Sequence, residues 1–235
     1  MLKRRKKLAD RNISFNFVSQ SALNMKSNQE QLEALQDIRQ MMKQSTRFLS
    51  LSGFSGILAG IYALIGAYFG HELIHDYVTK YSYSERDQQV YYWTMFKGFL
   101  ICAAILVAAV TTALILTKKK AAKTGQKLLE PTAIRLLINM MIPLSTGGIF
   151  CIALILRGYA SLEFVAPSML IFYGLALVNS SKYTIHDIRY LGCLEILLGL
   201  ISAFYVNHGI LFWAIGFGGL HIVYGTIMWF KYDRK

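Results

Sequence analysis

Charge is scarce in this chain. Only 16% of its 235 residues are charged, against 54% hydrophobic, and the apolar residues gather into runs instead of recurring at a helical or strand period. Such clustering excludes an ordinary soluble fold and indicates a membrane protein. Acidic residues are scarcer still, 13 against 25 Lys and Arg, for a formal net charge of +12. In a soluble protein that surplus would suggest nucleic acid. Here the positive side chains stand beside apolar runs, where membrane topology accounts for them, and nucleic acid is set aside as a partner. Cysteine is limited to Cys102, Cys151 and Cys193, all within apolar runs, which excludes an extracellular disulfide framework. No cleavable leader is read either. The basic N-terminus meets its first strong apolar run only near Phe48 and no small-residue cleavage site follows, so that run is expected to stay in the mature chain.

What the sequence does have is six apolar stretches of bilayer length: Phe48 to Phe69, Trp93 to Thr117, Ile134 to Leu156, Phe164 to Ser181, Tyr190 to Val206 and Ile210 to Phe230. Hydrocarbon about 30 Å thick needs roughly 20 residues at 1.5 Å rise each. Short connections force sequential spans to be antiparallel neighbours. The expected fold is therefore all-α: a polytopic membrane protein of six transmembrane helices in three antiparallel hairpins, preceded by a cytoplasmic amphipathic helix. An even number of spans puts both termini on one side. Of the 25 Lys and Arg, 21 fall on that side, the exceptions being Lys80, Arg86, Lys97 and Arg157. The positive-inside rule makes it the cytoplasmic side of a cell inner membrane, and the run Lys118, Lys119, Lys120, Lys123, Lys127 reads as a topology signal near anionic headgroups.

The domain organisation follows. Residues 1–26 read as a disordered basic tail, because they carry no hydrophobic periodicity. Residues 27–47 read as an amphipathic helix, opened by a capping box from Ser27 to Glu30 and striped by Leu32, Leu35, Ile38, Met41 and Met42. Residues 48–230 form the six-helix domain, and residues 231–235 a cytoplasmic tail. The stretch from Gly70 to Tyr92 reads as the long outer loop, rich in interfacial aromatics. Small residues at four-residue spacing, Ser52, Gly56 and Gly60 in the first span and Ala214 with Gly218 in the sixth, mark close helix packing. Pro143, followed by Ser145, Thr146, Gly147 and Gly148, is expected to kink or loosen the third span, with the hydroxyls occupying carbonyls that the proline frees.

Two constellations bear on chemistry. His71-Glu72-Leu73-Ile74-His75 spells HExxH, in which two histidines one turn apart bind zinc and the glutamate activates water. A third ligand would come from His208, with Asp76 and Glu163 as lesser candidates. Against a metal site, a short outer loop offers no packed domain to orient the ligands, and the bland reading is a polar helix end at the interface. The other constellation is intramembrane. Glu195 in the fifth span and His221 in the sixth are costly in hydrocarbon, and the tight Asn-His-Gly hairpin between those spans lets them meet. Asn139 and Asn179 stand at the ends of their spans and extend the polar candidates. An interhelical hydrogen bond is the structural alternative.

The stretches Asn28 to Tyr68 and Ser181 to Leu200 resemble a family of uncharacterised bacterial six-span inner-membrane proteins. The resemblance covers most of the chain from Met25 onward. It implies the six-span fold and Met25 as the ancestral start, and it attaches no activity, substrate, cofactor or site residue. The leading functional reading is a non-enzymatic interaction or sensory partner in the membrane, with no cofactor. The bilayer is its certain partner, and a membrane or cytoplasmic protein, or a second copy of the chain, the open ones. A small-solute or proton-coupled transporter using Glu195 and His221 is the alternative, and an outward-facing HExxH zinc hydrolase the second. Because 21 of 25 basic residues lie on one side, reporters fused at Lys235 and within residues 118–130 are expected in the cytoplasm and one at Ser84 outside. A periplasmic C-terminus would overturn this topology.

Overall fold

The computed structural model describes residue 31 and residues 34–38, 52–80, 88–124, 131–158, 163–205 and 207–234. The chain divides into two units, Met1–Thr46 and Arg47–Lys235. In the first, residues 31 and 34–38 are helical, and Leu35 and Ile38 of the expected stripe are exposed. The remainder of the expected tail and amphipathic helix lies outside the described residues.

The second unit is helical, with no strand among the described residues. Its helices are α1 Gly53–Lys80, α2 Gln88–Thr124, α3 Pro131–Leu156, α4 Val165–Ser180, α5 Asp187–Ser202 and α6 Gly209–Asp233. Four of them, α1, α2, α3 and α6, are long and apolar enough to cross a membrane. Helices α4 and α5 have 16 residues each, about 24 Å of rise. Large apolar side chains such as Phe99, Leu106, Val107, Leu114 and Ile149 lie exposed along the outside, an apolar surface far larger than a soluble protein shows and suited to a bilayer. The described residues thus form a helical protein with apolar helices suited to a membrane.

Several helices run past the ends of the apolar stretches. The long outer loop is largely helix: α1 runs unbroken through HELIHDYVTK to Lys80 and α2 begins at Gln88. Nothing in 70–80 breaks a helix after Gly70. The i,i+4 pair of Asp76 and Lys80 at 2.8 Å and the bond from Thr79 Oγ1 to the His75 carbonyl at 2.7 Å lie on its last turns. Likewise α2 continues through Lys118, Lys119 and Lys120 to Thr124, and the expected C-terminal tail is helical as far as Asp233. Hydropathy reads how much chain suits hydrocarbon; backbone hydrogen bonding continues wherever the residues permit.

Pro143 stands inside α3, which runs continuously from Pro131 to Leu156. Proline lacks the N–H that would bond the carbonyl four residues back, which is that of Asn139. The freed carbonyl accepts a hydrogen bond from Asn179 Nδ2 of α4 at 2.9 Å. Ser145 and Thr146 bond the carbonyls of Met141 and Ile142 instead, at 2.7 and 2.8 Å. The irregular helix is α6, which takes π geometry over Ala214–Leu220 and again over Trp229–Asp233.

Helix packing rests on absent side chains. Helices α4 and α5 run in opposite directions and cross at Gly174 and Gly192, where a Cβ on Gly174 would stand 2.6 Å from the Gly192 carbonyl oxygen and one on Gly192 2.7 Å from that of Gly174. Helices α1 and α6 touch backbone to backbone in the same sense: Gly53 lies against Trp229 N, and a Cβ on Gly225 would be 2.5 Å from Ile57 N. Helix α2 packs antiparallel along α1, with Tyr62 facing Thr112 at 3.3 Å, and meets α3 where Tyr91 Oη donates to the Ile155 carbonyl at 2.9 Å.

At the lysine-bearing end, Asp233 gathers three helices. Its Oδ2 accepts from Gly53 N at 2.8 Å and Ser52 Oγ at 3.1 Å, and its Oδ1 from Lys120 Nζ at 2.6 Å. A carboxylate at the end of α6 therefore caps α1 and anchors α2. Asp187 ties α5 to α6 in the same way, accepting from Lys231 Nζ at 2.7 Å and Tyr232 Oη at 3.1 Å. Leu177, Ile185, Ile188, Leu191 and Met228 form a buried cluster.

Gly192→Ala is expected to lower stability by about 1–3 kcal/mol, because the added methyl meets backbone that cannot swing aside. Gly148→Ala, where a Cβ meets nothing within 4 Å, should be neutral or raise stability by up to about 1 kcal/mol. Thermal unfolding of the two variants in detergent distinguishes them, and equal losses would contradict the packing described.

Candidate functional site

Helix α5 buries Ile188, Leu191, Gly192, Glu195, Gly199 and Ser202, spacings of three and four that place all six on one face. Glu195 belongs to that face and is completely buried. His221, in α6, is 8% exposed, directly after the first π segment. The intramembrane pair read from the sequence does come together: His221 Nδ1 lies 3.4 Å from Glu195 Oε1.

The geometry around the imidazole is specific. Nδ1 stands 3.1 Å from the Gly216 carbonyl oxygen and Nε2 stands 2.7 Å from Tyr173 Oη. A carbonyl only accepts, so Nδ1 carries the hydrogen, and a neutral ring then receives the Tyr173 hydroxyl proton on Nε2. Glu195 is the unsatisfied member, because neither of its carboxylate oxygens makes a hydrogen bond among the described residues. The space around it is small. A Cβ on Gly216 would lie 2.6 Å from Glu195 Oε2 and 2.5 Å from Leu170 Cδ2. Two aromatic rings pack beside the imidazole, those of Tyr173 and Phe217, with centroids 5.3 and 6.1 Å from that of His221.

This arrangement can hold a proton. Added at Nε2, it makes an imidazolium whose charge the adjacent carboxylate offsets; held on Glu195 instead, it leaves both groups neutral, the less costly form of an isolated group in low dielectric. Tyr173 is the member that sequence reading missed. A tyrosine within an apolar run reads as an amphipathic aromatic, and only the approach of α4 to α6 gives its hydroxyl the histidine as partner. Ser202, one further turn pair along α5, is buried with its hydroxyl also unpartnered among the described residues.

The other candidate residues lie elsewhere. Asn139 and Asn179 bond each other across α3 and α4 and serve the proline of α3. Of the expected helix break, Pro143 lies within a continuous α3, Gly147 packs under Phe172, and Gly148 faces open space. His71, Glu72 and His75 are exposed on α1, the two rings stacked 6.3 Å apart at 18°. His208 precedes α6 and does not join them: no group of three His, Cys, Asp or Glu converges among the described residues. Asp76 is paired with Lys80.

Comparison of the chain with protein-family models, with curated proteins and with solved structures finds no match in any of the three. The purified protein is expected to hold no stoichiometric zinc, since among the described residues no third His, Cys, Asp or Glu converges on the two exposed histidines. Near one zinc per chain by elemental analysis, lost in His75→Ala, would contradict this.

Proposed function

We propose that the chain is a non-enzymatic, six-span inner-membrane protein, its spans arranged as three antiparallel hairpins with both termini cytoplasmic, and that it works as a proton-coupled transporter. One observation carries the functional part: Glu195 is fully buried, 3.4 Å from His221, with neither carboxylate oxygen hydrogen-bonded. A purely structural tie would be expected to satisfy those oxygens, whereas a group that exchanges a proton needs spare acceptor capacity. The π segment of α6 beside the pair supports the same reading, because π-bulges and interrupted helices recur where membrane proteins bind and release ions. The alternating bias of the basic residues supports the orientation, and α4 and α5 complete the six spans.

A sensory or interaction role is the second reading, favoured by the confined space at Gly216. The site admits a proton more readily than a solute, and a change of protonation there would alter how α6 seats on α5. Glu195→Gln separates the two. In proteoliposomes under an imposed pH gradient, the parent is expected to pass protons and the variant to lose that flux by about tenfold or more, with its unfolding temperature maintained. No flux in the parent, together with a pH-dependent tryptophan emission that Glu195→Gln abolishes, would replace transport by sensing. A parent and variant alike in both measurements would remove the proton from the function.

A further inference from the structure

Independently of Glu195, the outer flank of α3 and α4 carries an apolar groove of about 380 Å³. Pro143 and Thr146 line it from α3, and Phe172, Leu175, Val178 and Asn179 from α4. Its walls arise from the packing already described. Gly147 lets Phe172 lie close to α3, and the Asn179 bond to the carbonyl freed by Pro143 ties the two helices at one end. That same end is basic: Lys182 borders the groove and is exposed. Arg135, one turn before Asn139 on α3, is exposed as well. Tyr183 packs against Ala133 and Leu136, so the two basic side chains belong to adjoining helix ends.

We propose that this groove binds one anionic glycerophospholipid, an acyl chain along Pro143, Phe172 and Leu175 and the phosphate at Lys182 and Arg135. In a bilayer no water fills an apolar groove on a helix flank, and hydrocarbon does. Positive charge confined to one end of an apolar slot between helices matches a lipid whose headgroup is negative.

The test is native mass spectrometry of the delipidated full-length protein in detergent. It would be titrated with phosphatidylglycerol or with phosphatidylcholine of identical acyl chains. Phosphatidylglycerol is expected to bind more tightly by roughly fivefold for each basic side chain engaged. Lys182→Gln with Arg135→Gln should equalise the two lipids. Leu175→Trp, at an exposed wall position, should weaken both, and Thr146→Trp, which fills the groove from the opposite wall, should do the same should the first variant fold poorly. Equal affinity of the parent for both lipids would overturn the proposal, as would a charge preference that survives the double variant or lipid binding that neither tryptophan alters. A dimer mass that Leu175→Trp abolishes would assign the groove to a second copy of the chain and overturn it too.

Discussion

Backbone approaches backbone at the crossings of α4 with α5 and of α1 with α6, and the rest of the unit depends on that closeness. In hydrocarbon, apolar side chains gain little by leaving lipid for protein, so association comes from close contact and from the polar groups that contact aligns. At Gly174 and Gly192 each helix presses on the other's carbonyl oxygen, which draws α5 in far enough for Glu195 to be enclosed. At Gly53, Gly56 and Gly225 the first helix lies on the last. Its register brings the start of α1 to Asp233, and a single carboxylate then serves α1, α2 and α6.

Polar groups are distributed by the cost of leaving them unpaired. At the lysine-bearing end the carboxylates of Asp187 and Asp233 each take two or more donors from other helices. The carbonyl exposed by Pro143 is answered by Asn179. Glu195 departs from this pattern. Its neighbour His221 divides its hydrogen bonds between the Gly216 carbonyl and Tyr173 and leaves the carboxylate only a longer electrostatic contact. Among the described residues Glu195 shares this state only with the Ser202 hydroxyl two turns along α5, and buried polar groups left without partners concentrate at functional sites.

The site also shows why one helix is irregular and another is not. Pro143 leaves α3 unbroken because its unpaired carbonyl has a partner next door. In α6, Gly216, Gly218 and Gly219 lie within the π turn, and His221 Nδ1 reaches the Gly216 carbonyl five residues back. The widened turn thus offers the imidazole a backbone acceptor on the side facing Glu195, while Tyr173 occupies the opposite nitrogen.

Residue order alone specified the apolar runs, the basic bias between their ends, the small residues where helices meet and the two ionisable residues that interrupt hydrocarbon. Each is local in the chain, a matter of what single residues cost in water or lipid. Helix ends were less legible: α1 runs on to Lys80 and α2 begins at Gln88, because hydropathy measures solvent preference and hydrogen bonding sets helix length. HExxH was legible as letters, while ligand geometry depends on what other helices bring to the two histidines. Tyr173 beside His221, Lys120 beside Asp233 and Asn179 beside Asn139 are separated by 48, 113 and 40 positions. Only the packed arrangement could pair them, because a side chain's partner is chosen by distance and direction in space, and both are consequences of how closely glycine lets the helices approach.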